Sequence, residues 1–211
     1  MARMSRHKTT PDADVLAATI RVISRLGPGR LTLAEVARES GLSPATLVQR
    51  FGSKRGLLLA VAKQGVQGAG ECFARLRAAH RSPLAALFAA LGEMACLCES
   101  PEALANNLAF LEIDLTDRDF HRLALENARQ TLAGYRTLLA DAIAAGELAR
   151  CNTARMARAL SAMASGSLLS WAILREGSVT DWLRADIETL LGPLMLRKRA
   201  RWRIKKPAPE T

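Results

Sequence analysis

The feature that most constrains the fold of this chain is a pair of short, capped helices separated by a tight glycine turn. Thr32 and Glu35 form the S/T-x-x-E pattern of a capping box, which marks the start of a helix. Gly41 favours the end of that helix. Ser43 and Pro44 then provide the N-cap and the first residue of a second helix. Two short helices joined in this way predict a helix-turn-helix unit.

The second helix of such a unit enters the major groove of DNA, so its outward side chains should be small or able to hydrogen-bond. Arginine pairs with guanine, glutamine pairs with adenine, and small methyl groups contact the thymine methyl. Hydroxyl groups and lysine near helix starts suit phosphates. The predicted DNA-contacting residues are therefore Thr32, Ser43, Pro44, Ala45, Thr46, Gln49, Arg50 and Lys54. The alternative is an ordinary helical hairpin with solvated polar residues.

The distribution of charge supports a nucleic-acid partner. The chain has 211 residues and a formal net charge of +10. Residues 1–60 carry a net charge of +6, residues 61–190 carry −2, and residues 191–211 carry +6. A basic segment that also folds is typical of a protein that binds a phosphate backbone, here double-stranded DNA. A merely solvated basic surface is the other explanation of the charge.

The segment from Leu31 to Leu57 closely resembles the DNA-binding signature of the tetracycline-repressor (TetR) family. Two positions depart from that signature: Val48 replaces the usual tyrosine, and Arg50 replaces the usual histidine or tyrosine before the phenylalanine. Val48 cannot donate a hydrogen bond, whereas Arg50 can contact a phosphate or a base. The matching positions are Thr32, Val36, Ala37, Ser40, Gly41, Leu42, Ser43, Ala45, Leu47, Phe51, Ser53, Lys54 and Leu57.

Beyond this segment, alanine and leucine dominate, and glycine and proline fall where helices should begin or end. The sequence predicts an all-α chain with further helices near residues 54–79, 83–98, 101–116, 119–145, 153–175 and 179–200. The acidic segment 114–119 is interpreted as a loop with capping aspartates. The resemblance implies about nine helices in two domains. These are a three-helix DNA-binding domain over 1–60 and a helical ligand-binding and dimerisation domain over 61–196, followed by a basic tail over 197–211.

The resemblance also implies a homodimer and a small-molecule inducer. The dimer contacts are expected on the helices near 153–175 and 179–196, which carry small and apolar residues at helical spacing. The scarcity of aromatic residues, 4% of the chain, favours an apolar or weakly polar ligand. Candidate pocket residues, for each of which plain core or surface is the alternative, are Met94, Cys98, Phe110, Asp114, His121, Arg129, Tyr135, Met163 and Trp171.

These observations predict a ligand-responsive repressor that binds a palindromic operator as a homodimer. The alternative is a nonspecific, architectural nucleic-acid-binding protein that uses both basic ends. An enzyme is not expected, because the sequence lacks the HExxH, GxSxG, GxGxxG and P-loop patterns. The four cysteines lack zinc-site spacing, so a metal site is not expected. A cofactor is not expected either. With neither a secretory signal nor a membrane span apparent, the expected location is the cytoplasm.

Overall fold

The helix signals of the sequence correspond to nine α-helices in the computed structural model, which describes residues 10–96 and 100–196. Within these ranges, β structure is limited to one isolated bridge between Leu148 and Met195. The predicted all-α fold class is therefore confirmed. The helices are α1 (Asp12–Arg30), α2 (Leu33–Ser40), α3 (Pro44–Phe51), α4 (Lys54–Ala79), α5 (Pro83–Cys96), α6 (Pro101–Thr116), α7 (Arg118–Ala144), α8 (Thr153–Leu174) and α9 (Val179–Leu191).

Side-chain caps account for many of the helix starts. The hydroxyl groups of Ser43, Ser53 and Ser100 each accept a hydrogen bond from the backbone N–H three residues later, at 3.1 Å in every case. Each bond satisfies a donor that the first turn of a helix would otherwise leave without a partner. The starts of α3, α4 and α6 therefore follow from local sequence.

The last helix is shorter than predicted. The sequence indicates a helix over 179–200, but α9 ends at Leu191, and a 3₁₀ helix, Gly192–Leu194, follows. Pro193 has no backbone N–H and cannot continue an α-helical ladder. The chain instead turns back, and the N–H of Leu196 donates to the carbonyl of Glu147 at 2.9 Å. The predicted end of this helix was therefore wrong.

The acidic segment between α6 and α7 also differs from its prediction. Helix α6 continues through Asp114 to Thr116, so Asp114 is a helical residue and not part of a loop. Asp117 alone separates the two helices and caps α7, because its carboxylate accepts hydrogen bonds from the N–H groups of Asp119 and Phe120. The capping role predicted for this segment is therefore confirmed for Asp117.

Two clusters of buried side chains organise the described residues. The larger cluster joins α4, α5 and α7–α9, with a contribution from α6. The smaller cluster lies among α1, α2, α3 and residues 54–62 of α4, which together we call the head. Phe120 on α7 completes the core of the head with 2% of its surface exposed, and Phe110 and Ile113 of α6 pack against it. The head is thus packed directly onto the corner between α6 and α7.

Helix α8 is the one helix of the described ranges that is long and apolar enough to cross a membrane, a property that the sequence analysis did not anticipate. Its inner face is buried within the larger cluster through Ala157, Leu160, Ala164 and Leu168. The apolar character of α8 is therefore partly explained by its packing against α7 and α9.

Candidate nucleic-acid interface and ligand cavity

The predicted helix-turn-helix is formed by α2, the turn at Gly41 and α3. Thr32 caps α2, because its hydroxyl accepts a hydrogen bond from the N–H of Glu35 at 3.2 Å. Gly41 ends α2 with a φ of +70°, in the left-handed region that glycine adopts without strain. Ser43 caps α3, and its hydroxyl also lies 2.9 Å from that of Thr46. The turn is therefore set by residues that the sequence identified.

Helix α3 has one buried side and one exposed side. Leu47 is fully buried in the head, whereas Pro44, Ala45 and Gln49 are exposed. Val48, which the sequence analysis did not include among the DNA-contacting residues, also lies on the outer side with 48% of its surface exposed. The outer side of α3 therefore presents small and apolar groups beside one amide.

The two basic residues predicted at this surface make contacts within the head. Arg50 donates from Nη1 to the carbonyl of Thr10 at 2.6 Å and to Asp12 Oδ1 at 3.3 Å, and its side chain is 21% exposed. Lys54 donates from Nζ to the carbonyl of Gly29 at 2.9 Å. In this conformation both cations join helices of the head to one another.

A network of arginines and glutamates covers α1 and α2. Arg38 contacts Glu35, and this hydrogen bond is the main cause that lowers the pKa of the Glu35 carboxyl. Arg21 donates to Glu39 at 2.8 Å and lowers the pKa of that carboxyl in the same way. Arg25 reaches both carboxylates, at 3.4 and 3.9 Å. Three cations thus surround two anions on this face of the head.

A close approach of α4 to α3 depends on Gly56, which the sequence analysis did not single out. A Cβ atom at this position would lie 2.0 Å from the carbonyl oxygen of Phe51. Glycine is therefore required for the start of α4 to pack against the end of α3. The only signal in the sequence was a glycine in the first turn of a predicted helix.

Arg55 links the head to the corner between α6 and α7. Its Nη2 atom lies 2.9 Å from Asp117 and 2.8 Å from Asp119, and its guanidinium group lies 5.6 Å from the centre of the Phe120 ring. Hydrogen bonding to Arg55 lowers the pKa of Asp117. Nearby, Asn106 donates to the carbonyl of Ser24 at 2.9 Å. Polar contacts therefore reinforce the apolar packing of the head on this corner.

A cavity of about 420 Å³ lies between the head and the remaining helices. Three of the predicted ligand residues line it: Met94, Phe110 and Asp114. Helix α1 of the head also forms part of its wall, which the sequence did not indicate. The complete lining comprises Ile20, Ile23, Ser24, Val61, Ala62, Gly65, Met94, Asn107, Phe110, Asp114, Leu123, Ala124, Asn127 and Leu168.

The other predicted ligand residues lie outside this lining. His121 and Arg129 are exposed on α7, and Met163 packs against the larger cluster. Tyr135 is buried beside the cavity, since its hydroxyl lies 3.5 Å from the sulfur of Met94, and burial raises its pKa to about 12. Trp171 is buried and donates from Nε1 to the carbonyl of Gly177 at 3.2 Å. Cys98 and the basic tail from residue 197 lie outside the described residues.

Across residues 10–96 and 100–196, no group of three or more His, Cys, Asp or Glu side chains is placed to hold a metal ion. Cys72 and Cys151 are free thiols of intermediate exposure. The candidate site comprises the outer side of α3 and, separate from it, a largely apolar cavity.

Comparison with known proteins agrees with this geometry. Residues 15–61 match the family described as bacterial regulatory proteins, tetR family. The fold is similar to that of a TetR-family regulator from Agrobacterium tumefaciens, with a TM-score of 0.70 and 22% identity over 88% of this chain and 97% of that one. No curated protein matches the sequence.

Two further solved structures share the fold. SmeT, the repressor of the Stenotrophomonas maltophilia multidrug efflux pump SmeDEF, has a TM-score of 0.65 and 18% identity over 95% of this chain and 98% of that one. FadR from Bacillus subtilis, in complex with stearoyl-CoA, has a TM-score of 0.66 and 13% identity over 87% of this chain and 100% of that one.

Proposed function

We propose that the chain is a ligand-responsive repressor of the tetR family that binds a palindromic operator as a homodimer, because residues 15–61 match the model of that family and the whole fold is similar to that of a TetR-family regulator. In this proposal residues 1–60 form the DNA-binding domain, and residues 61–196 provide most of the ligand cavity and the dimer contacts. The observation that carries the proposal is the exposed outer side of α3, presented by a capped turn on a segment of net charge +6.

Within this proposal, Gln49 reads a base edge, and Ala45 and Val48 approach thymine methyl groups. Thr32 and Ser43 lie at helix starts, where hydroxyl and free N–H groups can contact phosphates together with Pro44 and Thr46. Arg50 and Lys54 already contact backbone carbonyls of the head, at 2.6 and 2.9 Å. We therefore assign them first to the orientation of α3, with phosphate contact as a second role.

The dimer would form through the outward faces of α8 and α9. Leu169 and Ile173 are apolar residues on the outer face of α8, and Ile173 has 79% of its surface exposed in the single chain. Ala162 and Gly166 lie on the same face and would let a second helix approach closely. A two-fold axis here would place two heads on successive major grooves of a palindrome.

The position of the cavity supports a mechanism by which a bound ligand moves the head. Ile20, Ile23 and Ser24 of α1 and Val61 of α4 line the cavity together with residues of α6 and α7. A ligand that changes how α1 and α4 pack against α6 and α7 would shift the head and change the spacing of the two heads. By linkage, a ligand that releases DNA must bind the DNA-free form better, typically by about 1–3 kcal/mol.

Selection of bound sequences from random double-stranded DNA by the full chain tests the proposal. We expect a palindromic motif, and we expect Gln49→Ala to change the preferred base at one position of each half-site. Loss of one bidentate contact typically costs about 1–3 kcal/mol of discrimination. Gln67→Ala, at an exposed position of α4, is the matched control and should leave the motif unchanged.

The proposed function would be contradicted if the selected sequences contained no palindromic motif and the affinity for DNA depended on salt but not on sequence. It would instead favour the nonspecific nucleic-acid binder, for which affinity depends on phosphate contacts and hardly on sequence.

A further inference from the structure

Among the described residues, a single charged side chain lines the cavity beneath the head. Asp114 is the only Asp, Glu, Lys, Arg or His in this described lining, which otherwise comprises nine apolar residues, one glycine and three neutral polar residues. Neither a hydrogen bond nor an ion pair joins its carboxylate to any residue in the described ranges, although the side chain is partly buried. Exposed carboxylates such as Glu112 and Glu126 are surrounded by water, whereas Asp114 is partly buried and lines the cavity.

The surroundings of Asp114 disfavour an unpaired negative charge. Burial raises the pKa of the Asp114 carboxyl, and the charge of His121 on α7 opposes this shift. The residues of α1, α4, α5 and α8 that line the cavity are neutral. A carboxylate removed from water without a partner is costly. A cation that entered the cavity would remove this cost as well as form a charge-assisted hydrogen bond.

The residues of α6 that line the cavity differ in chemistry from one end to the other. Asn107, Phe110 and Asp114 recur at spacings of three and four residues, so they lie on one face of the helix. Seven residues of α-helix span about 10 Å. Ser24 contacts Asn107 at 3.4 Å, so polar groups mark that end of the cavity and the carboxylate marks the other. Phe110, Ile23 and Leu123 provide apolar surface elsewhere in the lining.

We propose that this cavity binds a compact apolar molecule that carries one protonated amine, with the amine paired to Asp114 and the apolar body against Phe110. The proposal rests on the function proposed above and names the chemical class of its ligand. The volume of about 420 Å³ lies within the range of about 300–1,000 Å³ typical of small-molecule sites. Anionic ligands should bind more weakly than amines at this site, because they would place like charges together.

Titration calorimetry on the full chain without DNA tests the proposal. The probes are phenylbutylamine, phenylbutanol and phenylbutyrate, together with the corresponding naphthylbutyl compounds, so that body size and terminal charge vary separately. We expect the wild-type chain to bind each amine at least about tenfold more tightly than its alcohol, which corresponds to about 1.4 kcal/mol. The acids should bind most weakly.

Asp114→Asn is the decisive variant, because it keeps the shape of the side chain and removes its charge. We expect the preference for amine over alcohol to fall to about twofold or less, while alcohol binding stays within about twofold of wild type. Glu112→Gln is the matched control: it removes one negative charge from an exposed position of the same helix and should keep the full preference. Circular dichroism of both variants verifies that they are folded.

Four results would each overturn the proposal. Two concern the amine preference: equal binding of amine and alcohol to the wild-type chain, or a preference that survives in Asp114→Asn. The other two are tighter binding of the acids than of the amines, and no binding of either amine at millimolar concentration. Because calorimetry is performed without DNA, these results are independent of the DNA selection. Failure of the ligand class therefore remains distinguishable from failure of the proposed repressor function.

Discussion

The contact between α4 and α7 yields a prediction whose sign can be worked out from the structure. Gly134 of α7 faces the ring of Phe73 on α4, and a Cβ atom at this position would lie 2.3–2.6 Å from three ring carbons. Carbon atoms in favourable contact are about 3.5–4.0 Å apart. The Phe73 ring also packs edge-to-face on Tyr135, with ring centres 5.1 Å apart. A methyl group at Gly134 must therefore displace this ring.

Two opposing effects determine the free energy of unfolding of Gly134→Ala. Replacing a glycine inside a helix with alanine favours folding by about 1 kcal/mol. Forcing a methyl group into a filled space costs about 1–3 kcal/mol, and loss of the ring contact adds about 0.5–1.5 kcal/mol. A rigid aromatic ring must move by about an ångström, so the cost exceeds the gain. We expect a net destabilisation of about 0.5–3.5 kcal/mol.

Urea unfolding at one fixed protein concentration measures this change, because the concentration matters if the chain dimerises. Gly68→Ala is the matched control: Gly68 lies inside α4, and a Cβ atom there would meet nothing within 4 Å. The same substitution at this position should raise stability by up to about 1 kcal/mol. Phe73→Leu should relieve the crowding, so Gly134→Ala should cost less in that background than in wild type.

The reasoning is refuted if Gly134→Ala is as stable as wild type or more stable. It is also refuted if Phe73→Leu leaves the cost of Gly134→Ala unchanged, because the ring would then not be the source of the crowding.

Three further predictions concern the head. Arg50→Ala should weaken binding to all DNA sequences without changing the preferred bases, because it removes the contact that holds α3 against the start of α1 and keeps Gln49. Titration of palindromic and scrambled duplexes measures this change. Gly56→Ala should destabilise the chain by at least about 2 kcal/mol, since the obstacle is the Phe51 carbonyl rather than a movable side chain; urea unfolding measures it. The pKa of the Glu35 carboxyl is lower in the folded state than its ordinary value of 4.5. This difference stabilises the folded state at pH values above 4.5, and the stabilisation is lost as the pH falls through the folded pKa. Thermal unfolding measured across this pH range should show that Arg38→Ala loses less stability on acidification than the wild-type chain.

The helices were predictable because their signals are local. Ser43 with Pro44 and Ser100 with Pro101 place an N-cap and a helix-compatible φ angle at adjacent positions. Both starts were confirmed. The α9 boundary was predicted too late because the apolar spacing continues past Pro193, whereas the backbone cannot. The helix ends there because Pro193 lacks a backbone N–H group, and this proline was the signal in the sequence that could have placed the boundary correctly.

The surface that we propose to face DNA was partly predictable. The exposure of Pro44, Ala45 and Gln49 follows from helical spacing once Leu47 is assigned to the core. The partners of Arg50 could not be predicted, because Thr10 and Asp12 are about forty residues away in the chain and no local pattern joins them to α3. A long cationic side chain reaches several acceptors, and packing decides among them.

The chain therefore encodes its helices, their caps and the uneven distribution of charge in segments of a few residues, where propensity and spacing act directly. The cavity is different, because its wall joins residues as distant as Ile20 and Leu168 and depends on how six helices pack. The unpaired state of Asp114 and the need for glycine at position 134 are likewise properties of that packing. Both depend on which atoms are close in space, and local periodicity carries no information about contacts between distant segments.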